Sequence, residues 1–164
     1  MAKSVGKIFE EEVKASFPKD FYVERYKDDT AGFKGVANPA DFRLYKYPLL
    51  FLLELKSHKG KSIPLDTIRG SQLKEMKKSN HHIGIYCGFL LNYRDLEETY
   101  YISFSALVAE YYTVNHKGEF EVKLGGRKSI PVDWCREVGT RIDQKKKKVR
   151  YTYDLERWLE GYYE

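Results

Sequence analysis

The segment Leu49-Leu50-Phe51-Leu52-Leu53-Glu54-Leu55-Lys56 carries the residue types best suited to chemistry on a phosphate. A strand apolar on both faces belongs at the centre of a sheet, where charged side chains are rare unless paired or metal-bound. Side chains two apart on a strand share a face, so Glu54 and Lys56 stand side by side at the end of this run. A strand that simply surfaces into solvent would look the same. Asp41 adds a second carboxylate. It opens the preceding strand in Asn38-Pro39-Ala40-Asp41, and a turn at Tyr47-Pro48 would fold that strand back, so that Asp41 can lie beside Glu54. Two carboxylates brought together repel unless a cation sits between them. Hard oxygen ligands suit Mg2+, which keeps several waters and bridges to phosphate oxygens. A lysine beside the pair can orient a water or stabilise charge building up on the phosphate. The chemistry predicted is metal-assisted hydrolysis of a phosphodiester.

The elements that must position these groups follow from the periodicity. Residues about 4–17 read as a helix, with Val5, Ile8, Phe9, Val13 and Phe17 on one apolar face, and Pro18 stops it. A first strand runs from Phe21 toward Lys27, and Asp28–Pro39 reads as loop. The strand Ala40–Tyr47 and the apolar strand Leu49–Lys56 follow. Asp66–Lys78 reads as a helix with Leu65, Ile68, Leu73 and Met76 inward. Ile83–Cys87 is expected to be a buried strand and Tyr100–Phe104 another. Ser105 is placed to cap a helix reaching about Tyr112, Gly125–Pro131 reads as loop, and a last helix lies near Asp154–Tyr162. Helix, three strands, helix, two strands is the order of an α/β sandwich around a mixed sheet.

At 164 residues the chain fits one domain with a real core. No apolar run approaches the ~20 residues of a membrane span, and the charged start lacks the apolar stretch of a secretory signal. Cys87 and Cys135 stand apart, with no zinc spacing. We expect a cytoplasmic protein with both thiols structural. His58, His81, His82 and His116 show no metal-binding spacing either. The net charge is +5, and the basic residues cluster at Lys56–Lys61, Lys74–Lys78, Arg127-Lys128 and Lys145–Arg150. Such clusters suit a phosphate backbone and equally serve solubility. The 14 tyrosines and 2 tryptophans offer stacking surfaces or fill the core.

An acidic residue at a strand start followed by Glu-x-Lys resembles the PD-(D/E)xK nuclease signature. The resemblance extends further. The stretch from Asp41 to Lys56, then Ser62-Ile63-Pro64-Leu65, Gln72 with Met76, Tyr100-Tyr101-Ile102 leading into Ser105–Tyr112, and Gly125-Gly126-Arg127-Lys128-Ser129-Ile130-Pro131 are similar, in order, to segments of the RecU-type Holliday junction resolvases. The likeness covers about residues 4–131, with a basic, tyrosine-rich extension at 132–164. It implies a restriction-endonuclease-like sandwich with an αβββαβ core, and a homodimeric resolvase of four-way DNA junctions needing Mg2+, with Mn2+ substituting. By the same resemblance Asp41 and Glu54 are metal ligands and Lys56 the catalytic lysine.

Gly6-Lys7-Ile8-Phe9-Glu10 is similar to the family's N-terminal Gly-x-x-x-Glu. Periodicity leaves Glu10 and Glu12 at opposite edges of the apolar face; the resemblance selects Glu10, and a solvated face is the alternative for either. Gln72 falls within the apolar stripe of its helix, where its amide needs a partner. It is either a satisfied core glutamine or, as the resemblance implies, a hydrogen-bonding group beside the active site. Gly6, Lys7, Lys34, Lys59, Lys61, Arg127 and Lys128 are the expected DNA contacts. For Lys145–Lys148 and Arg150 a solvated charge run is the first reading and DNA contact the second. In one respect the chain departs from the pattern. RecU-type enzymes carry a long stalk between the first strand and the aspartate, whereas only about Tyr26–Pro39 is available here, with Lys27 and Lys34 as a basic remnant.

Overall fold

The structure, a computed structural model, describes residues 2–26 and 38–164. The chain opens on α1 (Val5–Ser16), capped by the Ser4 hydroxyl, which accepts from the Lys7 N–H, and buries Phe9 and Val13. Strands β1 (Tyr22–Arg25), β2 (Phe42–Lys46) and β3 (Leu49–His58) form an antiparallel meander. After β4 (Ser62–Pro64), a 3-10 turn at Leu65–Thr67 and α2 (Gly70–Asn80), strand β5 (Ile85–Tyr93) runs parallel to β3. Strand β6 (Glu98–Ser103) returns antiparallel, followed by α3 (Phe104–Tyr111). Then come β7 (Tyr112–Val114), β8 (Phe120–Val122), β9 (Ser129–Pro131) and α4 (Val132–Val138). The last elements are β10 (Thr140–Arg141), β11 (Gln144–Lys147), β12 (Arg150–Tyr153) and α5 (Leu155–Glu160). The main sheet has the order β1-β2-β3-β5-β6-β10.

This is the mixed, helix-flanked sheet that the hydrophobic pattern predicts, with the αβββαβ order intact. Two cores line its faces. Leu52 and Phe89 pack with Leu73, Met76, Phe104 and Leu107 on one side. Leu53 and Leu90 pack with Phe9, Val13, Trp158 and Leu159 on the other. The alternation along β3 sorts its residues between them, because consecutive side chains point to opposite faces. Glu54 and Lys56 share the face of Leu52, the one that α2 covers. Cys87 and Cys135 are buried free thiols in that same core, and burial raises both thiol pKa values. Among the described residues no helix is long and apolar enough to cross a membrane.

Several local expectations shift. The second helix begins at Gly70, not Asp66, because Leu65–Thr67 closes as a 3-10 turn. The strand expected at Ile83–Cys87 runs instead from Ile85 to Tyr93, and Ile83 is fully exposed ahead of it, beside Gly84 at φ 86°. Ser103, not Ser105, caps α3 by accepting from the Ala106 N–H. Part of the Gly125–Pro131 loop is β9, paired with β4. The polybasic stretch forms the β11–β12 hairpin.

Candidate active site

The β2–β3 register runs from Lys46↔Leu49 to Phe42↔Leu53. One step further along the same register, Asp41 stands opposite Glu54. The backbone locks this juncture: the Asp41 N–H donates to the Leu53 carbonyl at 2.9 Å, and the Tyr26 N–H donates to the Asp41 carbonyl at 2.9 Å. The Asp41 carboxylate accepts from the Leu55 N–H at 2.7 Å. Both carboxylates are thereby held at the rim where β2 meets the middle of β3.

Glu54 is only 2% exposed. Its Oε1 faces the Lys56 ammonium at 3.2 Å, while its Oε2 is buried with no hydrogen-bond partner among the described residues. An unpaired buried carboxylate oxygen is costly. Next to it, burial and then the negative charge of Glu54 push the Asp41 carboxyl up to about 7, with Glu10 adding to the same effect; the Leu55 N–H and Lys56 oppose it. A cation between the two carboxylates would answer the orphaned acceptor and offset the burial and mutual repulsion that make Asp41 hard to ionise. Among the described residues no group of three or more His, Cys, Asp or Glu side chains is placed to hold a metal ion. Two carboxylates completed by waters fit Mg2+, which dehydrates reluctantly.

The structure separates Glu10 from Glu12. Glu10 accepts a hydrogen bond from Arg25 of β1 and lies close enough to Asp41 to raise its pKa. Glu12 is buried and turned toward the opposite edge of the sheet. Arg94 grips it with two N–H groups at 2.6 and 3.0 Å, and the Tyr151 N–H and Tyr153 hydroxyl complete its shell. Gln72 is buried at the third position of α2, where its Oε1 accepts from the Arg69 N–H at 3.3 Å. That bond is a helix cap and explains part of its need for a partner; α2 nonetheless lies over the sheet face that carries Glu54 and Lys56.

The expected phosphate contacts fall into three places. Gly6 and Lys7 are exposed in the first turn of α1, and a Cβ on Gly6 would meet nothing within 4 Å. Lys59 and Lys61 are exposed in the turn after β3. Arg127 and Lys128 are exposed ahead of β9. The β4–β9 pairing ties these last two turns together: the Lys61 carbonyl accepts from Val132 and the Lys128 carbonyl from Leu65, each at 2.9 Å. The Tyr93 hydroxyl donates to the Ile130 carbonyl at 2.8 Å and fixes this ribbon on β5. Lys34 lies outside the described residues, as do Lys27 and most of the segment in the stalk position.

A buried polar chain lies on the sheet face opposite Glu54 and Lys56. Ser57 donates to Asn92 at 2.6 Å, Asn92 to Thr99 at 2.9 Å, and Thr99 to Gln144 at 2.7 Å. Asn92 and Thr99 are each 1% exposed. A polar residue in Phe89-Leu90-Leu91-Asn92-Tyr93 is the sequence signal that this buried chain exists, since a buried amide requires partners.

Comparisons with known proteins bear on this arrangement. The sequence model of the family described as Recombination protein U (RecU) matches residues 45–156, which include Glu54, Lys56 and Gln72 and extend through the β11–β12 hairpin. The SPbeta prophage-derived uncharacterized protein YotM of Bacillus subtilis is 32% identical over 167 residues, covering 94% of this chain and 84% of that protein. The Holliday junction resolvase RecU of Streptococcus pyogenes serotype M1 is 27% identical over 130 residues. That match covers 79% of this chain and 58% of the resolvase, so the chain spans less than two thirds of that relative's length. Among solved structures, the Holliday junction resolvase Hjc of Archaeoglobus fulgidus superposes with a TM-score of 0.45 at 11% identity, over 74% of this chain and 83% of that one. With the family match running through most of its length, the chain belongs to the Recombination protein U family.

Proposed function

We propose that this protein is a metal-dependent DNA endonuclease that resolves four-way junctions by paired nicks, acting as a homodimer in the cytoplasm. The carrying observation is the Asp41–Glu54 pair, with the orphaned Glu54 Oε2 beside the Lys56 ammonium. Family membership and the resolvase among the relatives support the choice of substrate.

Asp41 and Glu54 would hold Mg2+, or Mn2+ in its place. The ion would supply Lewis acidity toward a phosphate oxygen and make a water more acidic. The chain's own groups do the rest. Glu54 divides its two oxygens: Oε1 positions Lys56, and Oε2 would help hold the cation. Lys56 is held within reach of the attacking water or of a phosphate oxygen, where a fixed cation stabilises the charge that develops in the transition state. The Leu55 N–H fixes the Asp41 carboxylate, so little reorganisation is needed. Glu10 is the third acidic group, and Gln72 a hydrogen-bonding group from the helix over this face. Gly6 and Lys7, the turn with Lys59 and Lys61, and Arg127 with Lys128 bind phosphates; such contacts position the duplex without reading its sequence.

The test is to incubate the protein with a mobile four-way junction, a flap and plain duplex, each with Mg2+ or EDTA. Symmetric nicks confined to the junction and abolished by EDTA are expected. Equal cutting of all three substrates would replace the resolvase with a less selective nuclease. Tight junction binding without cutting would leave an idle junction-binding protein.

A further inference from the structure

We infer that the β11–β12 hairpin is a DNA-backbone arm that grips a duplex segment where β5 turns into β6. The inference rests on the reading of the chain as a DNA-acting enzyme and adds a binding surface to it.

The hairpin has two unlike faces. Gln144, Lys146, Tyr151 and Tyr153 alternate onto one side, and the two tyrosines are buried there. Lys146 stays with the protein, 3.9 Å from Glu97 and over the Tyr151 ring. Lys145, Lys147, Thr152 and Arg150 occupy the other side, with Lys147 directly opposite Arg150. Among the described residues Lys145, Lys147 and Lys148 form no ion pair and are exposed. Lys148 turns the chain with φ 56°. Arg150 pairs with Glu11 at 3.2 Å, which leaves Lys145, Lys147 and Lys148 as the cations this hairpin offers to a polyanion. Lys145 and Lys147, two apart on one strand, are about 6.7 Å from each other, a spacing comparable with that of successive phosphates on a strand.

A charge run that served only solubility would need no mounting, yet this one is bolted down on both sides. The Tyr151 N–H donates to Glu12 at 2.8 Å, the Tyr153 N–H to the Ser16 hydroxyl at 3.1 Å, and the Tyr151 hydroxyl to Glu97 at 2.7 Å. Thr99 donates to Gln144 at the hairpin's base. These anchors place the arm at the β5–β6 end of the sheet, on the face that α1 covers. Glu97 closes the turn after Tyr93, which pairs with His58 just past Lys56. The buried chain Ser57-Asn92-Thr99-Gln144 runs from the residue next to Lys56 to the first residue of the arm. The arm thus adds cationic reach on the sheet face opposite Glu54 and Lys56.

The test uses the full chain carrying Lys145→Ala, Lys147→Ala and Lys148→Ala together. A labelled four-way junction and a plain duplex are titrated in EDTA over a series of salt concentrations, with cutting followed separately in Mg2+ at saturating protein. Each lost phosphate contact should reduce the slope of log affinity against log salt by about 0.9, so a drop of about 2 to 3 is expected, with roughly tenfold weaker binding at about 0.1 M salt. The melting temperature and the cutting of fully bound DNA should stay close to wild type, and the triple Lys→Arg variant should restore binding. Unchanged affinity and slope would overturn the arm. Loss of cutting by the wild type, with hairpin-dependent binding retained, would overturn the nuclease reading and leave the arm standing.

Discussion

Two glutamates are buried almost equally in this molecule, and their surroundings are opposite. Glu12 is 4% exposed and Glu54 2%. Around Glu12 every lone pair has an answer: the Arg94 fork, the Tyr151 N–H and the Tyr153 hydroxyl. The hydrogen bonds to this carboxylate raise the Arg94 pKa, and the Tyr153 phenol is pushed up by burial and by the Glu12 charge. Around Glu54 one oxygen meets Lys56 and the other has no hydrogen-bond partner among the described residues. Depth of burial therefore does not distinguish a structural carboxylate from a chemical one. Completeness of its shell does. Glu12 is a rivet joining α1, the β5–β6 turn and β12; Glu54 keeps the oxygen that we propose for a cation.

The contrast can be broken most sharply at Lys56. Lys56→Ala should lower the cutting rate by about 10²–10³-fold, with junction affinity and melting temperature nearly unchanged; cutting at the wild-type rate would remove Lys56 from the mechanism. Removing the partner of the other glutamate should do the reverse. Arg94→Ala leaves a buried charge uncompensated and should cost about 3–5 kcal/mol, a fall in melting temperature of roughly 6–15 °C. Cutting per folded molecule should survive in that variant. If Arg94→Ala leaves stability intact and abolishes cutting, the assignment of the two sites is inverted.

A smaller effect sharpens the reading of Glu54 and Asp41 as a cation site. The raised Asp41 pKa means that the folded chain holds a proton the unfolded chain has released. Its stabilising share is therefore complete below about pH 4 and lost as pH rises through about 7. Asp41→Asn has no such proton to lose and can still accept from Leu55. In EDTA it should be about 1–2 kcal/mol more stable than wild type near pH 8, a gap that closes toward pH 4. Mg2+ should raise the wild-type melting temperature at the higher pH and leave Asp41→Asn unmoved, since only binding to the folded state stabilises it. An equal Mg2+ response in both proteins would place the cation elsewhere.

The parts of the site that were legible in the sequence are those encoded over short distances. An apolar run ending in Glu54-Leu55-Lys56 must put both charges on one face of a central strand, and β3 does so. The turn at Tyr47-Pro48 implied a hairpin, and its register brings Asp41 to Glu54. Elsewhere, local pattern left choices that packing resolved. Helical periodicity holds Glu10 and Glu12 equivalent at the two edges of one apolar face; Arg25 from β1 and Arg94 from the β5–β6 turn tell them apart. Ser103 and Ser105 are both capable caps, and the sheet decides between them by ending β6 at Ser103. The polybasic run reads as solvated coil until Glu12 and Glu97, far away in sequence, bind the tyrosines of its return strand.

What the sequence by itself determined here is the sandwich and the chemical character of its central strand, because alternation and apolar run length are set residue by residue. The tertiary structure alone decided which carboxylate is satisfied and which is open. A buried charge is judged by the donors that reach it, and those donors come from elements scores of residues apart that meet only when the chain has folded.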